Sequence, residues 1–144
     1  MPPPRVLVVE DSPDDEALTR RAFRRSSPDV EVVVQGDGPA ALGWLGRLAS
    51  EGQEPLPAFV LLDINLPQMS GQEVLRLIRG DPRLRCLPVI MFSSSNEEAD
   101  LRESYQGGAS SYIRKPVDFD AFMAAVAQVG AYWLNLNLMA RSPG

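Results

Sequence analysis

At 144 residues, 44% apolar and 23% charged, the chain has the size and composition of one soluble globular domain with a sizeable core. A net charge of −5, with no basic stretch to neutralise phosphates, argues against nucleic-acid binding as its main task. There is no histidine, which excludes a Ser-His-Asp hydrolase, a histidine metal ligand and an internal phosphohistidine. Cys86 is alone, which excludes an internal disulfide and makes a reducing cytoplasm the expected compartment.

The opening Met1-Pro2-Pro3-Pro4-Arg5 carries no apolar signal-peptide run, and no stretch is suited to span a membrane. The first apolar run, Arg5-Val6-Leu7-Val8-Val9, reads as a strand and ends at the acidic pair Glu10-Asp11. Ser12-Pro13-Asp14-Asp15 is a helix start, with a capping hydroxyl, proline at the first position and acids in the first turn. That helix should run to about Arg25 and bury Leu18, Ala22 and Phe23. Residues 30–34 are the second strand. Asp37 caps a second helix with the stripe Leu42, Leu45 and Leu48, and residues 50–57 form a polar, proline-bearing loop.

The third strand, residues 58–63, is apolar until it closes on Asp63, and the chain then turns through Asn65, Pro67 and Gly71. Ser70 with Glu73 is a capping-box signature for a third helix burying Val74, Leu75 and Ile78, which Gly80-Asp81-Pro82 stops. The fourth strand, from Val89, ends at Ser93. A helix over 96–106 stops at Gly107-Gly108, and a fifth strand from Ser111 ends at Lys115-Pro116. Asp118 caps the fifth helix, which carries Phe119, Phe122, Val126 and Val129 at helical spacing. About thirty residues follow the Lys-Pro step, too few for a second domain.

Five alternations of apolar run and helix read as βαβ units building a parallel sheet, whose ligands gather at the carboxyl ends of the strands. Glu10, Asp11, Asp63, Ser93 and Lys115 all stand at such ends. Clustered carboxylates without histidine or thiolate suit a hard divalent cation, with Asp11 and Asp63 as direct ligands, Glu10 through water and the backbone carbonyl of Asn65 as a further oxygen. Lys115 suits a phosphate as a compact charge, and Ser93 can donate to a phosphoryl oxygen. Each residue also has a plainer reading. The acids can favour a helix dipole or form a turn, the lysine can close a strand, the serine can belong to a polar loop, and Tyr112 can be a core aromatic. Three acids converging would repel one another unless a cation relieved them.

Together, Glu10-Asp11, Asp63 with Pro67 and Gly71, Ser93, Tyr112 and Lys115-Pro116 resemble the response-regulator receiver domain of two-component signalling over residues 5–130. The intervals, thirty residues from Asp63 to Ser93 and twenty-two from Ser93 to Lys115, are similar to the family's. The resemblance implies a doubly wound, flavodoxin-like five-stranded sheet in the order 2-1-3-4-5. It implies that Asp63 accepts a phosphoryl group from a partner histidine kinase with Mg²⁺ present, and that Ser93 and Tyr112 move together when it does. Glu10 stands where many members have Asp, Ser93 where Thr is commoner, and the loop before Asp63 is longer than usual. That loop and the tail 131–144 resemble stand-alone regulators that partner bacterial phytochrome kinases.

Output is then expected through protein contacts. The tail residues 132–139 carry two aromatics, three leucines and a methionine. Leu134, Leu136 and Leu138 alternate with Asn135 and Asn137, which suits an extended arm in a homodimer built on the fifth helix and tail. The other reading folds Tyr132, Trp133 and Leu134 back as a final turn. Two rivals differ in class. One is a phosphatase or phosphotransferase using Asp63 on small molecules, against which Asn65 stands where haloacid-dehalogenase-like enzymes carry a second acid. The other is a receiver that binds partners and is never phosphorylated.

Overall fold

The structure, a computed structural model, describes residues 3–140. Five strands, β1 (Arg5–Val9), β2 (Glu31–Gln35), β3 (Phe59–Leu62), β4 (Val89–Ser93) and β5 (Ser111–Arg114), form one parallel sheet in the order 2-1-3-4-5. Helices α1 (Pro13–Ser26), α2 (Gly38–Glu51), α3 (Gly71–Gly80), α4 (Glu98–Gln106) and α5 (Phe119–Gly130) connect and follow the strands. β3, β1 after Arg5 and β4 up to Ser93 are apolar because both faces are covered. Leu7, Val9, Val60, Leu62 and Met91 face α2 and α3, where Leu45, Val74, Leu75 and Ile78 are buried. Val6, Val8, Phe59, Leu61, Ile90 and Phe92 face α1 and α5, with Phe23, Phe122, Val126 and Val129. Full burial of one such side chain contributes about 1.5–3 kcal/mol, so the central strands anchor the strand ends firmly.

Four helices start where the capping residues predict. Ser12 accepts from the Asp15 N–H at 3.3 Å, Asp37 from Ala40 at 2.8 Å, Ser70 from Glu73 at 3.2 Å and Asp118 from Ala121 at 2.9 Å. α4 starts two residues later than expected and has no side-chain cap of its own. Phe119 is exposed at the head of α5, its ring under the Arg21 guanidinium at 5.4 Å.

Two expectations are corrected. α2 runs through Ser50 to Glu51 and ends at Gly52, whose φ of 65° suits glycine, so the loop is shorter than the 50–57 span. Arg5 pins that loop, donating to Glu54 at 2.7 Å and to the Pro55 carbonyl at 2.8 Å, while its guanidinium lies 5.2 Å from the Trp44 ring. The tail is not an extended arm at first. Residues Ala131–Leu136 form a short π-helix prolonging α5. Burial decides this, because Trp133 and Leu134 pack on the α1/α5 side of the core. Gly130 permits the close approach, since a Cβ there would stand 3.2 Å from Ser27 Oγ. Leu136 and Leu138 remain 72% and 94% exposed. Residues 141–144 of the expected extension lie outside the described residues.

Candidate functional site

Parallel register decides which residues meet. Val9 pairs with Leu62, Leu62 with Met91 and Ser93 with Arg114, so Glu10, Asp63, Ser93 and Lys115 emerge together at the carboxyl edge. Backbone bonds continue past the strands, from Asp63 N to Val9 O at 3.1 Å and from Lys115 N to Ser93 O at 2.8 Å. Glu10, Asp63 and Lys115 are buried and Asp11 is exposed. One carboxylate oxygen from each of Glu10, Asp11 and Asp63 lies within 4.8 Å of the others. Three hard oxygen donors with one open side fit a hard divalent cation that keeps several waters.

Lys115 Nζ enters this cluster as its cation. It donates to Glu10 Oε1 at 2.5 Å, Asp15 Oδ2 at 2.8 Å and Asp63 Oδ2 at 3.1 Å. Burial works against the Lys115 charge, but the bonds to Asp15 and Glu10 and the nearby Asp63 charge override it and hold the amine above the usual lysine range. Burial also pushes the Glu10 carboxyl up. The Lys115 bond and charge pull it partly back, and the Asp63 charge adds to the rise. At Glu10 the repulsion from Asp63 is thus a lesser cause than burial. Glu10 is fixed further by the Ser12 N–H, which donates to its Oε2 at 3.1 Å.

The turn after Asp63 is closely built. Asp63 Oδ1 accepts from the Ile64 N–H at 2.7 Å, and the Gly71 N–H donates to Ile64 O at 2.8 Å. A Cβ on Gly71 would collide with the Asp63 carbonyl, so only glycine lets α3 start there. Between them, Gln68 adopts a φ of 73°, and the Met69 N–H reaches back to Pro67 O at 2.9 Å across this three-residue turn. Asn65 is exposed two residues beyond Asp63.

Ser93 is fully buried, and its hydroxyl accepts from the Ser95 N–H at 3.2 Å. Tyr112 is half-buried against the α2/α3 side of the core, in line with its plainer reading as a core aromatic, and donates its hydroxyl to Ser95 O at 3.2 Å. Burial raises the Tyr112 phenol above its usual range. The Lys115–Pro116 bond is trans. Asp15 is the residue that sequence reasoning missed as a partner of this site. It stood only among the first-turn acids of α1, and the signal available was its phase, three residues past the cap at Ser12.

Residues 6–127 match the model of the response regulator receiver domain. The chain is 40% identical over 139 residues to the "Probable methanogenesis regulatory protein FilR2" of Methanothrix harundinacea, covering 96% of this chain and 87% of that protein. It superposes on the phosphorylated cyanobacterial phytochrome response regulator RcpA with a TM-score of 0.87 at 32% identity, covering 94% of this chain and 97% of that one. For the Mn²⁺-bound form of the response regulator Rcp1, a name that also belongs to a relative from Synechocystis, the TM-score is 0.86 at 31% identity, with 96% and 99% covered.

Proposed function

The chain belongs to the response regulator receiver family, and on that premise we propose that it is a phosphorylatable switch whose phosphoacceptor is Asp63. One observation carries the reading. The Asp63 carboxylate is bonded to Lys115 Nζ at 3.1 Å and shares a 4.8 Å cluster with Glu10 and Asp11. An Asp63 oxygen forms the O–P bond while the P–N bond of a kinase phosphohistidine breaks, and the leaving imidazole takes up a proton. Glu10, Asp11, Asp63 and the carbonyl of Asn65 would hold Mg²⁺, which when bound stabilises the charge spread over the phosphoryl oxygens. Lys115 turns an N–H from Asp63 to a phosphoryl oxygen. The Ser93 hydroxyl donates to another, and its movement, coupled to Tyr112, carries the change to α4, β5 and α5.

The partner in this reading is a histidine kinase of the bacteriophytochrome class, supported by the likeness to a phytochrome response regulator. Residues 5–130 form the receiver unit. Residues 131–144 serve assembly of a homodimer with α5, supported by the exposure of Leu136 and Leu138. The compartment is the cytoplasm. Among the described residues no helix is long and apolar enough to cross a membrane.

Phosphotransfer tests the reading. A bacteriophytochrome kinase carrying phosphohistidine, mixed with this protein and Mg²⁺, should pass its label to Asp63 and not to an Asp63→Asn variant. Label retained by the kinase, or transfer undiminished in that variant, would overturn it.

A further inference from the structure

Lys115 Nζ has three N–H groups, and three carboxylates take them. Two of these, Glu10 and Asp63, stand just past the ends of β1 and β3 and belong to the acidic cluster that fits a cation. Asp15 belongs to neither group. It lies in the first turn of α1 and reaches Nζ across a separation of a hundred residues in the chain.

Its neighbours do not share this contact. Asp14 is exposed, and Glu16 is turned along the helix to Arg20 at 3.0 Å. The phase of α1 therefore selects Asp15, and Ser12 sets that phase by accepting from the Asp15 N–H at 3.3 Å. The side chain of Asp15 is 32% exposed while that of Lys115 is 7% exposed, so the carboxylate closes the solvent side of a buried ammonium.

We propose that Asp15 is a positioning residue for phosphoryl transfer, one that holds Lys115 Nζ over Asp63 while the other two carboxylates change partners. The proposal rests on the reading of Asp63 as phosphoacceptor. In the acyl phosphate, the Asp63 oxygen that formed the O–P bond no longer carries charge, so its hold on Nζ weakens. Glu10 is shared between Nζ, the Ser12 N–H and the cation cluster. Asp15 keeps its charge and its place throughout. A lysine amine on a flexible four-carbon stem needs such a tether to present one N–H to the phosphoryl oxygens. Asp15 touches neither phosphorus nor the attacking oxygen, and acts through Lys115.

The test is the rate at which acetyl phosphate labels Asp63 at saturating Mg²⁺, measured for the unaltered protein and for Asp15→Ala, Asp15→Asn and Asp14→Ala. Asp15→Ala should slow labelling roughly tenfold, the low end for a charge-assisted bond that is one third exposed. Asp15→Asn keeps an acceptor of the same size and should fall between. Asp14→Ala removes the same charge from the same turn and should label at the unaltered rate. Mg²⁺ affinity, read by direct titration, should not change in Asp15→Ala. Labelling of Asp15→Ala at the unaltered rate would overturn the proposal. So would equal slowing in Asp14→Ala, which would reduce the effect to general electrostatics, or a loss of Mg²⁺ affinity, which would make Asp15 a metal ligand. If instead the unaltered protein is not labelled, or Asp63→Asn is labelled fully, the reading of Asp63 fails and not the role of Asp15 alone.

Discussion

Ser95 donates its hydroxyl to Asp100 Oδ2 at 2.6 Å, which fastens the loop after Ser93 to α4. The same Asp100 carboxylate accepts from Gln72 Nε2 of α3 at 3.4 Å, and Tyr112 donates to the Ser95 carbonyl at 3.2 Å. Within α4 only Ser104 is buried, so polar bonds rather than apolar burial hold this helix in place. An element so held can shift at small cost, as the proposed switch requires. Asp100→Ala should lower stability by about 1–2 kcal/mol in chemical denaturation, since it removes the acceptor of the Ser95 hydroxyl and leaves Gln72 only the Asp100 main-chain carbonyl at 3.5 Å. Amide exchange in α4 should quicken more than in α1 or α5.

Gly71→Ala should be costlier than its size suggests. The new methyl meets the Asp63 carbonyl, which is backbone and cannot turn away. About 1–3 kcal/mol of stability should be lost. Because the strain falls on Asp63, the proposed phosphoacceptor, phosphorylation should slow in the protein that remains folded. Thermal unfolding and labelling rate, measured on one preparation, check both.

Asp11 is exposed while Glu10 and Asp63 are buried, so its carboxylate costs the fold little to remove. Asp11→Ala should leave the metal-free melting temperature nearly unchanged. As a proposed ligand Asp11 should count at least as much as the outer partners of a metal site, so its loss should weaken Mg²⁺ roughly 10–100-fold. Calorimetric titration of Mg²⁺ into both proteins reads this directly.

The strand-end residues were legible because β1, β3 and β4 are unbroken apolar runs that stop at Glu10, Asp63 and Ser93, and a parallel sheet brings such ends to one edge. Lys115 was legible because it follows the fifth strand directly and precedes Pro116. Asp15 was not, because Asp14, Asp15 and Glu16 all serve equally well as first-turn acids, and only the phase that Ser12 gives α1, once the sheet has brought Lys115 beside it, singles out Asp15. The tail misled through its period of two. Leu134 and Trp133 gain more from burial on the α1/α5 side than the alternating pattern gains from extension, so α5 continues as a π-helix. Likewise the long loop lost its first two residues to α2, because Gly52 could close the helix later than Ser50 suggested.

The exposed remainder of the tail makes its own prediction. Truncation after Gly130 would also strip Trp133 and Leu134 from the core, so point changes test assembly more cleanly. Leu136 and Leu138 are exposed, and Leu136→Ser with Leu138→Ser should cost the folded monomer almost nothing. The unaltered protein should sediment as a dimer at micromolar concentration and the double variant as a monomer. A monomer in both cases would remove the tail from any role in assembly.

Intact-mass spectrometry after incubation with acetyl phosphate and Mg²⁺ tests Asp63 as phosphoacceptor most directly. The unaltered protein should gain one phosphoryl group, proteolysis should assign it to the peptide containing Asp63, and Asp63→Asn should gain none. A phosphoryl group found on another residue, or carried in full by Asp63→Asn, would contradict the account.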